Sequence, residues 1–301
     1  MPVPCAGQSR GTPRSSVSVT LTARRRPSDA TGRTPYPRGV RLATWNVNSL
    51  KARLDRVLAW TERHEPDVLC LQETKLTDAQ APALDFKALG YELVHHGPGR
   101  WNGVAIASRL GIEDVVAGMP TKDGWTDDGG RFLAATCGPL RVATIYVPNG
   151  RVVDSEFYLE KLEWLARLSV WLDDNDPSTQ LAICGDFNVA PEPIDVWDEA
   201  AVHGATHVSP RERAAVAKLR EWGMVDVVRQ FHPEPGFFSW WDYRAGHFHK
   251  NFGMRIDHVY VSAPLASRAV AAERDRDARK PSTYPGIPSD HAPLIVDFEI
   301  G

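Results

Sequence analysis

Three observations predict an α/β fold for this chain. Strand patterns rich in Val, Ile and Leu alternate with helical patterns in the first half and again in the second. Five of the strand patterns end in polar residues of chemically useful types. The 301 residues, 43% of them apolar, can bury one large core, and single α/β domains of about 250 residues are ordinary. The alternation implies two similar α/β layers. By itself it fits either two sheets packed face to face or one doubly wound sheet.

The elements follow in order. Residues 1–39 are rich in Pro, Ser, Thr, Gly and Arg and lack apolar periodicity, which predicts a disordered basic extension. Pro4, Pro13, Pro27, Pro35 and Pro37 break up any amphipathic targeting helix there. Val40–Trp45 reads as the first strand. Ser49 can cap the helix that follows, with Leu50, Leu54, Val57, Leu58 and Thr61 as its inward stripe. Asp67–Gln72 is a buried strand closed by Glu73, after which Thr74 and Lys75 open a polar loop. Tyr91–His95 and Gly103–Ser108 are strands flanking GPGRWNG, an exposed loop with a cation, Arg100, and a ring, Trp101. Phe132–Thr136 and Leu140–Val147 follow, and Pro148 stops the second of them beside Tyr146 and Asn149. A long helix from about Asp154 carries Phe157, Leu162, Leu165, Leu168 and Leu172 at helical spacing. Ser209-Pro210 starts another helix, Ser as cap and Pro in the first turn, and Gly223 ends it.

The rest is organised around LAICGDFNV, 181–189. A short buried strand, Leu181–Cys184, runs into Asp186 and Asn188, and residues two apart on an extended chain point the same way. Gly185 lets something approach the backbone closely. Alone, this is equally a strand ending in an Asx-type turn. Four further segments repeat the arrangement: RLATWNVNSL with Asn46 and Asn48, DVLCLQETK with Gln72 and Glu73, MRIDHVYVS with Asp257, and PSDHAPLIVDFEI with Asp290 and His291. A core needs only the apolar halves of these segments. Several carboxylates brought together repel unless a cation or proton lies among them.

WNVN, LQETK, YVPNG, GDFNVAP, FSWWDYR, RID and SDHAP occur in this order between Arg41 and Gly301. In these motifs the chain resembles the exodeoxyribonuclease III and abasic-site endonuclease family, within the endonuclease/exonuclease/phosphatase superfamily. The resemblance implies a four-layer α/β sandwich, two packed mixed β-sheets flanked by helices as in DNase I, over a catalytic domain at 40–301. It implies a DNA repair hydrolase of base excision repair, cutting 5′ to abasic sites in double-stranded DNA and removing nucleotides from 3′ ends.

Residue types supply the chemistry. Phosphodiester hydrolysis needs a nucleophilic water, neutralisation of phosphate charge and help for the leaving oxygen. Glu73, Asn46 and Asp290 offer hard oxygen ligands of the kind Mg²⁺ or Mn²⁺ accepts, Asp186, Asn188 and the imidazole of His291 complete the candidate metal set, and the resemblance makes Glu73 the principal ligand. Asp186 is the candidate base, and Asn188 would hold phosphate or water. His291, held in one tautomer by Asp257, would become an imidazolium that stabilises developing charge. By the resemblance Tyr146 contacts the phosphate or leaving group, and Trp240, Met254 and Ile256 line the abasic-sugar pocket. Arg100, Asn149, Arg151 and Arg244 are the candidate DNA contacts, with the aromatic and basic run FFSWWDYRAGHFHKNFGMR suited to bases and phosphates. Phe237 and Phe238 read as core. His95, His96, His247 and His249 lack a nearby acidic third ligand for zinc and read as loop histidines near DNA.

Composition narrows the alternatives. The net charge is −3, but residues 1–40 hold seven arginines against Asp29, so that segment is +6 and the remainder −9. DNA binding must therefore rest on a local basic face and on metal; the tail is either a solvated extension or a DNA tether. Cys5, Cys70, Cys137 and Cys184 show no paired spacing, which points to free thiols in a reducing, cytoplasmic compartment, nucleoid-associated in a prokaryote, and argues against the disulfide-dependent secreted DNases. No run reaches the roughly 18–20 apolar residues of a membrane span, and a monomer is expected. Inositol-phosphate phosphatases and sphingomyelinases share the fold but match RIDHVYVS and FSWWDYR less well. A catalytically silent nucleic-acid-binding member would have lost residues such as Glu73, Asp186 and His291.

Overall fold

A computed structural model describes residues 39–120, 125, 127 and 129–300. The readings made for the amino-terminal extension lie outside these residues. The strands are β1 (Val40–Asn46), β2 (Val68–Gln72), β3 (Glu92–His96), β4 (Val104–Ser108), β5 (Glu113–Ala117), β6 (Phe132–Cys137), β7 (Leu140–Tyr146), β8 (Leu181–Asp186), β9 (Met224–Asp226), β10 (Asp257–Ser262), β11 (Ala269–Arg274) and β12 (Leu294–Phe298). They form two six-stranded sheets, ordered β11-β12-β1-β2-β4-β3 and β5-β6-β7-β8-β10-β9. Each sheet is mixed. Its one parallel pair, β1 with β2 or β7 with β8, lies at the centre, and the other pairs are antiparallel. A parallel pair needs a crossover, and the long helices supply it: α1 (Leu50–His64) joins β1 to β2.

The period-two pattern sorts the core into layers. Leu42, Val68, Cys70, Val104 and Ile106 of one sheet pack in a single cluster with Leu133, Val142, Cys184 and Val259 of the other. Their neighbours along the same strands, Ala43, Trp45, Leu69 and Leu71, turn to the other face and meet Leu50, Val57 and Trp60 of α1. On the far side, Ala143, Ile145 and Ile183 meet a helix at Glu156–Asp173 and another at Pro210–Trp222. Helix, sheet, sheet, helix: the doubly wound alternative is excluded, since each sheet has one face against its partner.

Local signals held at several boundaries. The Pro210–Trp222 helix has Ser209 as N-cap in a capping box with Glu212, and Gly223 as a left-handed C-cap at φ 113°. Gly185, at φ 138°, is the close approach foreseen: a Cβ there would sit 2.1 Å from the Ile145 carbonyl oxygen on β7. Cys70, Cys137 and Cys184 are buried free thiols. Phe237 and Phe238 are buried.

Other readings need correction. In α1 the fully buried face includes Arg56 and Trp60, while Leu54 and Leu58 are only partly covered. Arg56 donates to the carbonyls of Ala278, Lys280, Pro281, Tyr284 and Gly286, so a polar side chain takes a core position by satisfying a distant loop. In the Glu156–Asp173 helix, Phe157 is exposed, and Trp164 and Trp171 occupy the inward stripe with Leu165, Leu168 and Leu172. The strands β5, β9 and β11 and the helix Ala83–Ala88 were not foreseen; the strands are sheet edges, short or with mixed polarity, where period-two burial is weakest.

Two histidines, His207 and the fully buried His258, are held well below the ordinary value and lower stability in acid, and His258 is the clearer case. His258 Nε2 meets the Val189 carbonyl at 2.8 Å and Nδ1 faces the Arg255 guanidinium at 3.0 Å, so Nδ1 must accept and the ring is neutral. Burial first, and the Arg255 charge second, push its pKa down to about 4 from 6.5. A folded-state value below the unfolded one gives stability that is complete above 6.5 and drains away as pH falls toward 4, on the order of 3 kcal/mol. Urea unfolding at pH 7.5 and 4.5 checks this. His258→Gln should be less stable at pH 7.5 but lose less on acidification; an unchanged loss would show that other groups cause it.

Candidate active site

The sheet registers bring the polar strand ends together. Asn46 stands opposite Gln72, Tyr146 opposite Asp186, and Asp186 opposite Asp257. Because β1 with β2 and β7 with β8 are parallel, their carboxyl ends open at one edge of the sandwich. There the chain turns sharply: Asn48, Glu73, Lys75 and Asn188 all have positive φ, 45°, 49°, 56° and 51°. Asn tolerates this region, whereas Glu73 and Lys75 are held in it by neighbours. Ser49 N–H donates to the Glu73 carbonyl at 2.7 Å, and Lys75 N–H to the Asn102 carbonyl at 2.8 Å.

Asn46 bridges the two sheets at the site. Its Nδ2 donates to Glu73 Oε1 and to Asp186 Oδ2, both at 2.9 Å, while its Oδ1 accepts the Asn48 N–H. Asp186 Oδ1 accepts the Asn188 N–H at 2.9 Å, and Asn188 Nδ2 donates to the Val147 carbonyl. Asn149 Nδ2 reaches Asn188 Oδ1 at 3.3 Å. His291 Nδ1 lies 2.8 Å from Asp257 Oδ2, and its Nε2 lies 3.9 Å from Asp186 Oδ2. Trp45 Nε1 and Ser289 Oγ fix the His291 backbone. Ligand atoms of Glu73, Asp186 and His291 all fall within 4.8 Å of one another, a group able to hold a metal ion.

The charges are arranged in opposition. Burial lifts the Asp186 carboxyl to about 7, helped by the negative Asp257 and Glu73 and opposed by His291. Burial disfavours the His291 imidazolium, but Asp257, Asp186 and Asp290 overcome it and raise the ring to about 10. The three carboxylates thus favour the imidazolium, in which Nε2 is a donor. Burial, then the charges of Glu73 and Asp186, keep the Tyr146 hydroxyl protonated, with the Arg131 guanidinium 4.8 Å from its ring.

Asp290 lies beside the group of Glu73, Asp186 and His291, and each of its oxygens accepts a hydrogen bond. Its Oδ1 accepts Asn48 Nδ2 at 2.9 Å and its Oδ2 accepts Trp240 Nε1 at 3.1 Å. Lys75 Nζ joins the same chain, 2.6 Å from Asn48 Oδ1 and 2.9 Å from Glu73 Oε2. A polar path thus runs from Glu73 through Lys75, Asn48 and Asp290 to the Trp240 indole. Sequence reasoning read Lys75 only as the start of a loop and missed Arg131; the signal for Lys75 was its place two residues after Glu73.

Trp240, Met254 and Ile256 do come together. Trp240 and Met254 exchange both backbone hydrogen bonds at 2.9 Å, and the three side chains pack with Ala190, Val196, Val202 and Val208. The Trp240 ring stands 6.5 Å from that of His291. On another side of Glu73 a cleft of about 370 Å³ is lined by Tyr146, Asn149, Arg131, Arg151 and Trp101. Arg151 lies 3.5 Å over the Phe157 ring. Arg100 is exposed next to Trp101, and Arg244 is exposed but doubly paired with Asp242. His95 is a strand residue, not a loop one: its ring is wedged between Thr74 Oγ1 and Asp78 Oδ1, each 2.7 Å away. No group containing His95, His96, His247 or His249 could hold a metal among the described residues.

Residues 43–291 match the Endonuclease/Exonuclease/phosphatase family. The chain is 33% identical over 274 residues to an exodeoxyribonuclease III of Haemophilus influenzae, covering 86% of this chain and all of the relative. A solved AP endonuclease from Archaeoglobus fulgidus is 38% identical with a TM-score of 0.81, covering 87% of this chain and all of that one. The 3′ phosphatase NExo from Neisseria, solved bound to a product DNA hairpin, is 36% identical with a TM-score of 0.82 over the same shares. By these matches the chain belongs to the endonuclease/exonuclease/phosphatase family, in its exodeoxyribonuclease III and abasic-site endonuclease branch.

Proposed function

We propose that this protein is a Mg²⁺-dependent DNA repair phosphodiesterase that cuts double-stranded DNA 5′ to abasic sites and removes nucleotides or blocking groups from 3′ ends, in base excision repair. The observation that carries the reading is the meeting, at one sheet edge, of a buried carboxylate, Asp186, an imidazolium, His291, and an apolar wall formed by Trp240, Met254 and Ile256.

The donor set fits a hard divalent cation. Glu73 and Asp186 bring two carboxylates to one Asn46 amide, and such oxygens suit Mg²⁺ or Mn²⁺ with waters completing the shell. When bound, the ion supplies charge neutralisation and polarisation of the phosphate. The protein's own groups do the rest. Asp186, its carboxylate held by the Asn46 amide and the Asn188 N–H, is placed to take the proton of the attacking water. Asn188, locked by Val147 and Asn149, orients water or phosphate. His291, held by Asp257, donates from Nε2 to the charge that builds on the phosphoryl oxygens. The protonated Tyr146 hydroxyl supports the departing oxygen.

An abasic sugar differs from a nucleotide by a missing base, so a tight apolar pocket can accept one and exclude the other. Trp240→Ala should lower cleavage at abasic sites by more than about tenfold, while hydrolysis of a small phosphodiester that never enters the pocket changes little. Equal losses on both substrates, or none, would make Trp240 a packing residue. None of the described helices is long and apolar enough to cross a membrane. We place the enzyme as a monomer in the cytoplasm, at the DNA.

A further inference from the structure

Trp101 is among the most exposed large apolar residues of the described chain, 75% accessible, yet its loop is tightly fixed. Gly99 N–H donates to the Leu76 carbonyl at 3.0 Å, and Asn102 Nδ2 to the Gly129 carbonyl at 2.9 Å. The Asn102 and Gly103 carbonyls accept from Lys75 and Thr74, the two residues that follow Glu73. This seat admits only glycine at Gly103, where φ is 111° and a Cβ would fall 2.2 Å from Thr74 Oγ1. A rigid loop therefore displays an indole in water, stitched to the segment that carries the acidic ligand.

Topology sets which side of the site it serves. β12 and β4 flank the central pair β1-β2, and both run antiparallel to their neighbours, so the segments leading into them lie at the same edge on opposite flanks of Asn46 and Glu73. His291, with Trp240 beside it, precedes β12, and Trp101 precedes β4. Trp101 shares its cleft with Tyr146 and with the cations Arg131 and Arg151. An aromatic face with cations alongside is what a nucleobase and its phosphates require.

We propose that Trp101 is the stacking platform for the base of the nucleotide on the 5′ side of the scissile phosphate, the one whose 3′ oxygen departs. This rests on the functional reading above, in which the abasic sugar occupies the Trp240 pocket. The two tryptophans then divide the substrate: one wall excludes a base and the other requires one. Steady-state kinetics on two duplexes test this, one with a single abasic site and one in which the nucleotide 5′ to it also lacks its base. On the first, Trp101→Ala should raise KM about tenfold or more, and Trp101→Phe should recover most of the loss. On the second, wild type should already show the raised KM and Trp101→Ala should add less than about twofold. Equal losses on both duplexes, loss in kcat alone, or no loss would overturn the assignment. If wild type cuts neither duplex, the functional reading fails instead, and dissociation constants for the same duplexes still decide the role of Trp101.

Discussion

Asp186→Asn will lower the rate of DNA cleavage by roughly a thousandfold, within the range that general-base removal produces, and will at the same time stabilise the metal-free fold. The first part follows from position: Asp186 is the carboxylate shared by the Asn46 amide and the His291 cation at the meeting of both sheets. The second follows from its titration. Its folded pKa, about 7, lies above the ordinary 3.8, so the folded state holds a proton the unfolded chain releases, and stability declines as pH rises from about 4 to about 7. An amide mimics the protonated form and escapes that decline. Thermal melts in chelator at pH 8 should place the variant above wild type. A variant that is slow and also less stable would mean that the carboxylate holds the fold together, and its loss of activity would not identify a base.

Glu73→Gln will lower the rate by about a hundredfold or more and raise the Mg²⁺ concentration needed for half-maximal activity. The substitution preserves shape and turns one hard anionic ligand neutral. It also removes the anionic partner of Lys75, whose ammonium keeps Asn48. Glu73 sits at φ 49°, a strained conformation that its neighbours' hydrogen bonds maintain, so the backbone should keep its turn in the variant. The metal titration is the deciding measurement: a curve superimposable on that of wild type would remove Glu73 from the ion's surroundings, whatever the rate.

Much of this site was legible because its residues lie at strand ends, where an apolar run stops abruptly at a functional group. Asp186, Asn188, Glu73, Asp257 and His291 could be found that way, and the registers of the sheets then bring them together. The choice between one doubly wound sheet and two packed sheets was not legible in the pattern. A strand buried on both faces reads the same whether its far face meets a helix or another sheet; the motif resemblance decided it. Helical stripes were legible where leucines marked them and failed where large or polar residues took over. Trp164 and Trp171 replace Phe157 inside, and Arg56 is buried by carbonyls more than two hundred positions away. Asp290 shows the same limit at the site itself. Its proximity to the ligands was readable, but the orientation of its oxygens toward Asn48 and Trp240 depends on a loop that local sequence does not encode.

The central claim is metal-dependent hydrolysis of DNA at a baseless position. A 5′-labelled duplex with one abasic site, incubated with wild-type protein in Mg²⁺ and again in chelator, tests it most directly. The account predicts one cut in Mg²⁺, on the 5′ side of the abasic site and leaving a 3′ hydroxyl, and none in chelator. No cleavage in either condition, or cleavage that persists unchanged in chelator, would contradict it.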